Sequence, residues 1–227
     1  MKFLIDDADI EKIKEIYDKY PVDGVTTNPS ILAKSGKNPY EVLVEIRRFI
    51  GMEAQLHAQV ISRKAEDMVQ EGRHMAQVLG ANTYIKVPTI PEGLKAMRLL
   101  SKEGYKITAT AIYTPMQAFL AAKSGADYAA PYVNRIDNLG SAGVDVAKQI
   151  HDIYVNNNFK TNVLAASFKN SLQVQSLCAY GVGAVTVAPD VIEGLLRNQC
   201  VNYAEDEFIA DFENLCGKGK TMLDCMK

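Results

Sequence analysis

Thr83-Tyr84-Ile85-Lys86-Val87-Pro88 is an apolar run broken by one ammonium, and apart from Lys86 it reads as a strand buried on both faces. Burial penalises the charged form of a lysine and can lower its pKa by roughly 3 to 5 units, leaving free amine near neutral pH. A free amine is what a Schiff-base nucleophile requires. The plainer alternative is a lysine at a strand end whose ammonium reaches water along its aliphatic stem.

Outward from this stretch, short apolar runs alternate with amphipathic segments along the whole chain. Eight strands are expected: Phe3 to Asp6, Gly24 to Asn28, Gln55 to Val60, Thr83 to Val87, Lys106 to Ile112, Tyr128 to Val133, Asn162 to Phe168, and Ala184 to Ala188. Between them apolar residues recur at helical spacing, as in Ile10, Ile13, Ile16 and Tyr17, or Ala65, Met68, Val69, Met75, Ala76 and Leu79. Pro39, Pro91 and Pro115 stand near helix starts, and Gly80, Gly104, Gly125 and Gly181 follow helix ends. No linker or low-complexity segment divides the chain, so residues 1–227 are expected to form a single domain. Eight strand-then-helix units fit an α/β fold of the closed (β/α)8 barrel type, usually about 250 residues, better than an open doubly wound sheet. Asn202 to Leu215 reads as an extra C-terminal helix that covers the barrel or reaches a neighbouring subunit.

Alternate residues of a barrel strand point to the interior and the others to the helices. The first strand then sends Leu4 and Asp6 inward, the second Thr26 and Asn28, the third Gln55, His57 and Gln59, and the fourth Tyr84 and Lys86. On the fifth, Thr108 and Thr110 face the axis while Ile107, Ala109 and Ala111 face the helices. The sixth turns Tyr128, Ala130 and Tyr132 inward, and the seventh Ala165 and Ser167. The polar members lie mainly toward strand C-termini, where barrels of this type keep their active sites.

Composition narrows the chemistry further. Hydrophobic side chains make up 48% of 227 residues, enough for a sizeable core, and 25 basic against 27 acidic residues imply neither a nucleic-acid surface nor a membrane patch. Cys178, Cys200, Cys216 and Cys225 form no CxxC pair, and His57, His74 and His151 are scattered, so no metal and no cofactor is expected. The four thiols fit a reducing compartment. Asp6 and Asp7 interrupt the N-terminus after three apolar residues, and no run approaches the roughly 18 apolar residues of a membrane span. A soluble, cytoplasmic protein is expected.

A lysine amine that attacks a ketone gives a carbinolamine and then an iminium, an electron sink for making or breaking the adjacent carbon–carbon bond. Such a site also needs a proton relay and groups that hold substrate hydroxyls. Asp6, Gln59, Thr110 and Tyr132 suit the first task by type and position, Asn28 suits the second, and Thr26 can support Asn28. Each alone could be a satisfied polar group of the core.

Four segments carry a resemblance: Gly24-Val25-Thr26-Thr27-Asn28-Pro29-Ser30, Ile85-Lys86-Val87-Pro88, Ala130-Pro131-Tyr132-Val133-Asn134-Arg135-Ile136-Asp137 and Leu164-Ala165-Ala166-Ser167-Phe168. They resemble the motifs of the transaldolase family, most of all its small fructose-6-phosphate aldolase branch. The resemblance implies a metal-free, class I aldol mechanism with Lys86 as the Schiff-base residue. Asp6 would assist proton transfer, Asn28 would bind hydroxyls of a dihydroxyacetone unit, Arg135 and Ser167 would hold the phosphate of the aldehyde partner, and Ala130 would line the substrate site. A guanidinium fork matches phosphate oxygens, although a surface ion pair of Arg135 with Asp137 is the alternative. The resemblance also implies sugar-phosphate substrates and a homo-oligomer, a pentamer or a decamer that exchanges C-terminal helices.

Transaldolases proper resemble this chain but carry glutamate and phenylalanine where it has Gln59 and Tyr132. In the aldolase branch Tyr132, Gln59 and Thr110 would orient a catalytic water, with the tyrosine as acid and base. The expected reaction is reversible cleavage of fructose 6-phosphate to dihydroxyacetone and glyceraldehyde 3-phosphate. The alternatives are transfer of the dihydroxyacetone unit between sugar phosphates and a barrel that only binds them. His57 is expected to be a hydrogen-bonded core residue, and neither Gly181-Val182-Gly183 nor Gly217-Lys218-Gly219-Lys220 has the context of a phosphate loop.

Overall fold

A computed structural model describes residues 1–225. The elements run β1 (Lys2–Asp6), α1 (Ile10–Lys19), β2 (Gly24–Thr26), α2 (Pro29–Lys34), α3 (Pro39–Ile50), β3 (Gln55–Gln59), α4 (Ala65–Leu79), β4 (Thr83–Pro88), α5 (Pro91–Lys102) and β5 (Lys106–Ile112). They continue with α6 (Pro115–Lys123), β6 (Tyr128–Pro131), α7 (Val133–Asp137), α8 (Gly143–Asn156), β7 (Asn162–Ala165), α9 (Ser171–Tyr180), β8 (Ala184–Val187), α10 (Pro189–Gly194) and α11 (Gln199–Cys216). All eight strands pair in parallel in chain order, and β1 closes on β8. The fold is the (β/α)8 barrel.

Two compact units divide the chain after Ile192, and the barrel is the first. Its helices begin where the backbone is already committed: Asp9 accepts from Glu11 N and Lys12 N at the start of α1, and a proline occupies the first turn of α3, α5 and α6. Their apolar stripes, such as Ile13 and Ile16 or Met68 and Leu79, pack with the outward strand residues Ile5, Val25, Leu56, Ile85 and Ile107 in one large core. A second, smaller cluster fills the barrel axis: Leu4, Tyr84, Tyr128, Leu164 and Ala184.

Three expected strands end two or more residues early. β2 stops at Thr26 because Asn28 turns to cap α2, and β6 stops at Pro131 because Tyr132 opens α7. β7 stops at Ala165, with only an isolated bridge from Ala166 to Tyr132 beyond it. Inward and outward alternation fails twice. Ala111 has φ of 58° and the β5–β6 register shifts between Ala109 and Ile112, so Ile112 takes the outward core position expected of Ala111. On β7 it is Leu164 that faces the axis, whereas Ala165 belongs to the outer core, the reverse of the expectation for Ala165.

The second unit, from Glu193, carries α11, capped by Asn198 and beginning three residues before the expected Asn202, and a 3-10 turn over Met222–Cys225. Glu213 organises the turn that follows α11, its carbonyl accepting from Gly217 N and its carboxylate from Gly219 N. The Cys216 and Cys225 sulfurs lie 3.3 Å apart. Among the described residues no helix is long and apolar enough to cross a membrane.

Candidate active site

The lower half of the barrel axis is closed by stacked rings. His57 lies flat on Tyr84, with ring centroids 4.5 Å apart and planes 7° from parallel, and Tyr128 tilts against both. Gln55 donates to the Tyr84 and Tyr128 hydroxyls and accepts, at 3.2 Å, from His57 Nε2. An amide oxygen only accepts, so the hydrogen sits on Nε2 and Nδ1 accepts from Thr108 Oγ1 at 2.8 Å. Burial holds the imidazole well below its ordinary pKa, and Lys86 and Arg47 push it the same way. His57 is a neutral, fully bonded core group.

Above this floor the inward residues become polar. Lys86 is 6% exposed, and its Nζ donates to the carbonyl of Thr27 at 2.7 Å. That carbonyl is free to accept because β2 has ended one residue earlier, at Thr26. Burial pushes the amine below its ordinary 10.5, and the charge of Asp6 opposes the shift. The Asp6 carboxyl is pushed up by burial, and Lys86 opposes that shift as well. Each group therefore partly offsets the desolvation of the other.

Three further arrangements surround the amine. Thr26 Oγ1 donates to Asp6 Oδ1 at 2.8 Å and lies 2.7 Å from Thr186 Oγ1. Asn28 spends its side-chain oxygen as the cap of α2, accepting from Ile31 N at 3.0 Å, so its NH2 group remains to donate to a ligand. Tyr132 OH and Thr110 Oγ1 are 2.6 Å apart. Gln59 stands beside Lys86 in register, half-buried, and its side chain bonds to no described residue.

Arg135 rides on α7 just beyond the strand ends. Its guanidinium lies over the Tyr132 ring, 4.6 Å from the centroid, and the Tyr113 phenol is the main influence raising its pKa. The alternative ion pair with Asp137 is absent among the described residues: Asp137 instead accepts from Gly143 N at 2.7 Å and Gln173 Nε2 at 2.6 Å. Ser167 has φ of 62°, a left-handed conformation rare for serine, and its carbonyl accepts from Asn134 N at 2.9 Å. A cavity of about 70 Å³ is lined by Asp6, Thr26, Asn28, Lys86, Ala130, Tyr132, Arg135, Leu164, Ala166, Ser167 and Thr186. A buried amine, a carboxyl, a phenol and a guanidinium thus converge on one small space, which suits carbonyl chemistry on an anionic, hydroxylated ligand.

The profile of the family described as Transaldolase/Fructose-6-phosphate aldolase matches residues 3–224. The chain belongs to this family. Within the transaldolase/fructose-6-phosphate aldolase family, it is 38% identical to a "Probable transaldolase" of Thermodesulfovibrio yellowstonii over 215 residues, 95% of this chain and 99% of that protein. It is 39% identical to a "Probable fructose-6-phosphate aldolase" of Streptococcus pneumoniae over 213 residues, 93% of this chain and 96% of that one. A mandelate racemase/muconate lactonizing enzyme-like protein of Rubrobacter xylanophilus shares the fold, with a TM-score of 0.56 at 16% identity over 79% of this chain and 49% of that one. The family is one of transaldolase and aldolase enzymes, and its members carry either name.

Of the candidates read from the sequence of this family member, eight line the cavity: Asp6, Thr26, Asn28, Lys86, Ala130, Tyr132, Arg135 and Ser167. Thr110 reaches it only through the Tyr132 hydroxyl, and Gln59 lies at its side. Ser167 arrives by its left-handed turn instead of by strand alternation. Leu164, Ala166 and Thr186 were not foreseen. Alternation on β8, with Val185 and Val187 in the outer core, is the signal that picks out Thr186.

Proposed function

We propose that this protein is a metal-independent class I aldolase that reversibly cleaves fructose 6-phosphate, or a close ketose relative, into dihydroxyacetone and glyceraldehyde 3-phosphate. The observation that carries the reading is the buried Lys86 amine, its pKa lowered, facing Asp6 on one side of the cavity while the Tyr132–Thr110 pair stands on another. Lys86 Nζ attacks the ketose C2 carbonyl, and loss of water gives the iminium. The C3–C4 bond then breaks, its electrons flow to the iminium nitrogen, and the C4 hydroxyl yields its proton as the aldehyde forms. Tyr132, through a water that Gln59 and Thr110 help to orient, accepts that proton and returns it to the enamine carbon. Water then releases dihydroxyacetone and frees the amine. Asp6 assists the proton transfers around the nitrogen, the Asn28 amide holds a hydroxyl of the three-carbon unit with Thr26 in support, and Arg135 with Ser167 receives the phosphate.

A phenol at position 132 favours release over retention of the three-carbon unit, because it can serve the hydrolytic step. The names borne by relatives favour a second reading, in which the same iminium passes its unit to an acceptor sugar phosphate. Incubation with fructose 6-phosphate, with and without erythrose 4-phosphate, separates the two: free dihydroxyacetone without acceptor is expected, and cleavage that requires the acceptor would overturn the aldolase reading. We further infer a cytoplasmic homo-oligomer, pentameric or decameric, with no nucleic-acid or membrane partner; the exposed Val201, Phe208, Ile209 and Leu215 of α11 support association.

A further inference from the structure

We propose that Thr186 is a positioning residue: as a donor to Thr26 it holds the Thr26 proton on Asp6, and so keeps Asp6 a carboxylate next to Lys86. The inference rests on the aldolase reading only for its catalytic meaning. Its basis is a count of hydrogens. The Thr26 hydroxyl has one hydrogen, and when Asp6 is ionised that hydrogen goes to Asp6 Oδ1 across 2.8 Å, since a carboxylate can only accept. Thr186 Oγ1 sits 2.7 Å from the same Thr26 oxygen, so Thr186 supplies the hydrogen of that second bond. The chain then runs in one direction, from β8 through β2 to β1, and each bond polarises the next.

Both threonines are buried, Thr26 at 0% and Thr186 at 3% exposure, which leaves little room for solvent to take over either role. Thr186 also marks a change of character along β8, because its inward neighbour Ala184 belongs to the apolar axial cluster. A valine would fill the same space without the bond. The charges that face Asp6 are Lys86 from β4 and Arg135 from α7, both favouring the carboxylate, and Asp7 beside it, opposing. Thr26 is the hydroxyl that bonds to it, and Thr186 sets the direction of that hydroxyl.

The test follows the Asp6 carboxyl by 13C NMR titration, assigned with Asp6→Asn, in the wild type, Thr186→Val and Thr186→Ser, with Thr186→Ala in reserve should the valine not fold. In parallel, each protein is treated with borohydride and dihydroxyacetone and the Lys86 adduct is weighed. The Asp6 midpoint is expected to rise by about half a pH unit in Thr186→Val and to return in Thr186→Ser, the size set by loss of one polarising neighbour from a charge-assisted bond. A purely structural role would leave that midpoint in place, and an unchanged midpoint in the valine or alanine variant overturns the proposal whether or not the adduct forms. A midpoint that rises in Thr186→Val and returns in Thr186→Ser, with no adduct on the wild type, upholds the Thr186–Thr26–Asp6 chain and overturns the Schiff-base reading instead.

Discussion

At the scale of single residues, Lys86 was legible because an ammonium in a strand buried on both faces has few explanations, and its environment supplies a pH signature. The folded amine lies below its ordinary 10.5, so in that interval the unfolded chain binds more protons and stability rises with pH. Asp6 lies above 3.8, so at acidic pH the folded state binds more protons and stability falls as pH rises through that interval. Lys86→Met should abolish the borohydride adduct with dihydroxyacetone, and urea denaturation across a pH series should show the alkaline slope flattened. Retention of the adduct would assign the nucleophile elsewhere. Arg135→Ala should lower kcat/KM for synthesis from dihydroxyacetone and glyceraldehyde 3-phosphate by about 10- to 100-fold, the worth of one or two charge-assisted bonds, and barely change it for unphosphorylated glyceraldehyde. Equal losses on both aldehydes would remove Arg135 from phosphate binding. The position of Arg135 could be reached only through the resemblance, since no alternation pattern reaches past the end of a strand.

At the scale of elements, the phosphate subsite proposed at Arg135 and Ser167 depends on how α7 is tied down. Val133 N and Asn134 N donate to the carbonyls of Ala166 and Ser167, and Asp137 grips α8 through Gly143 N and α9 through Gln173. A Cβ at Gly143 would stand 2.1 Å from the carbonyl oxygen of Val133, so only glycine allows α8 to start against α7. Gly143→Ala is therefore expected to cost about 2 kcal/mol, or roughly 4–8 °C in Tm, with weaker binding of phosphorylated substrate. Thermal unfolding and KM measured together check it, and an unchanged Tm would show that α7 can yield. The eight strands and their order were readable because parallel barrel strands are apolar on their outer face whatever the interior holds. Their ends were not, since caps such as Asn28 and left-handed residues such as Ala111 and Ser167 override local propensity for reasons that lie in neighbouring elements. Ser167 shows the limit: alternation placed it inward by counting through Ala165, which in fact faces the helices, and the turn at Ser167 itself restores the outcome.

At the scale of the whole barrel, the family could be recognised from four short segments because they lie at the C-terminal ends of β2, β4, β6 and β7, where one cavity collects them. On the proposed reading, the choice between release and transfer turns on one phenol, Tyr132, and one amide, Gln59, too little for the fold to decide. The ring-stacked floor has its own consequence. With Leu4, Tyr84, Tyr128 and Leu164 filling the axis, the barrel is blind-ended, and under the proposed aldolase reaction both fragments of the sugar would have to leave by the opening through which it came. Arg135 and Ser167 stand past the strand ends and Lys86 within its strand, so on the proposed aldolase reading the aldehyde fragment would block the way of the fragment held on the amine. Departure must then be sequential. Glyceraldehyde 3-phosphate should inhibit cleavage in a mixed pattern against fructose 6-phosphate and dihydroxyacetone in a competitive one, whereas the reverse pattern would mean that the barrel has a second exit.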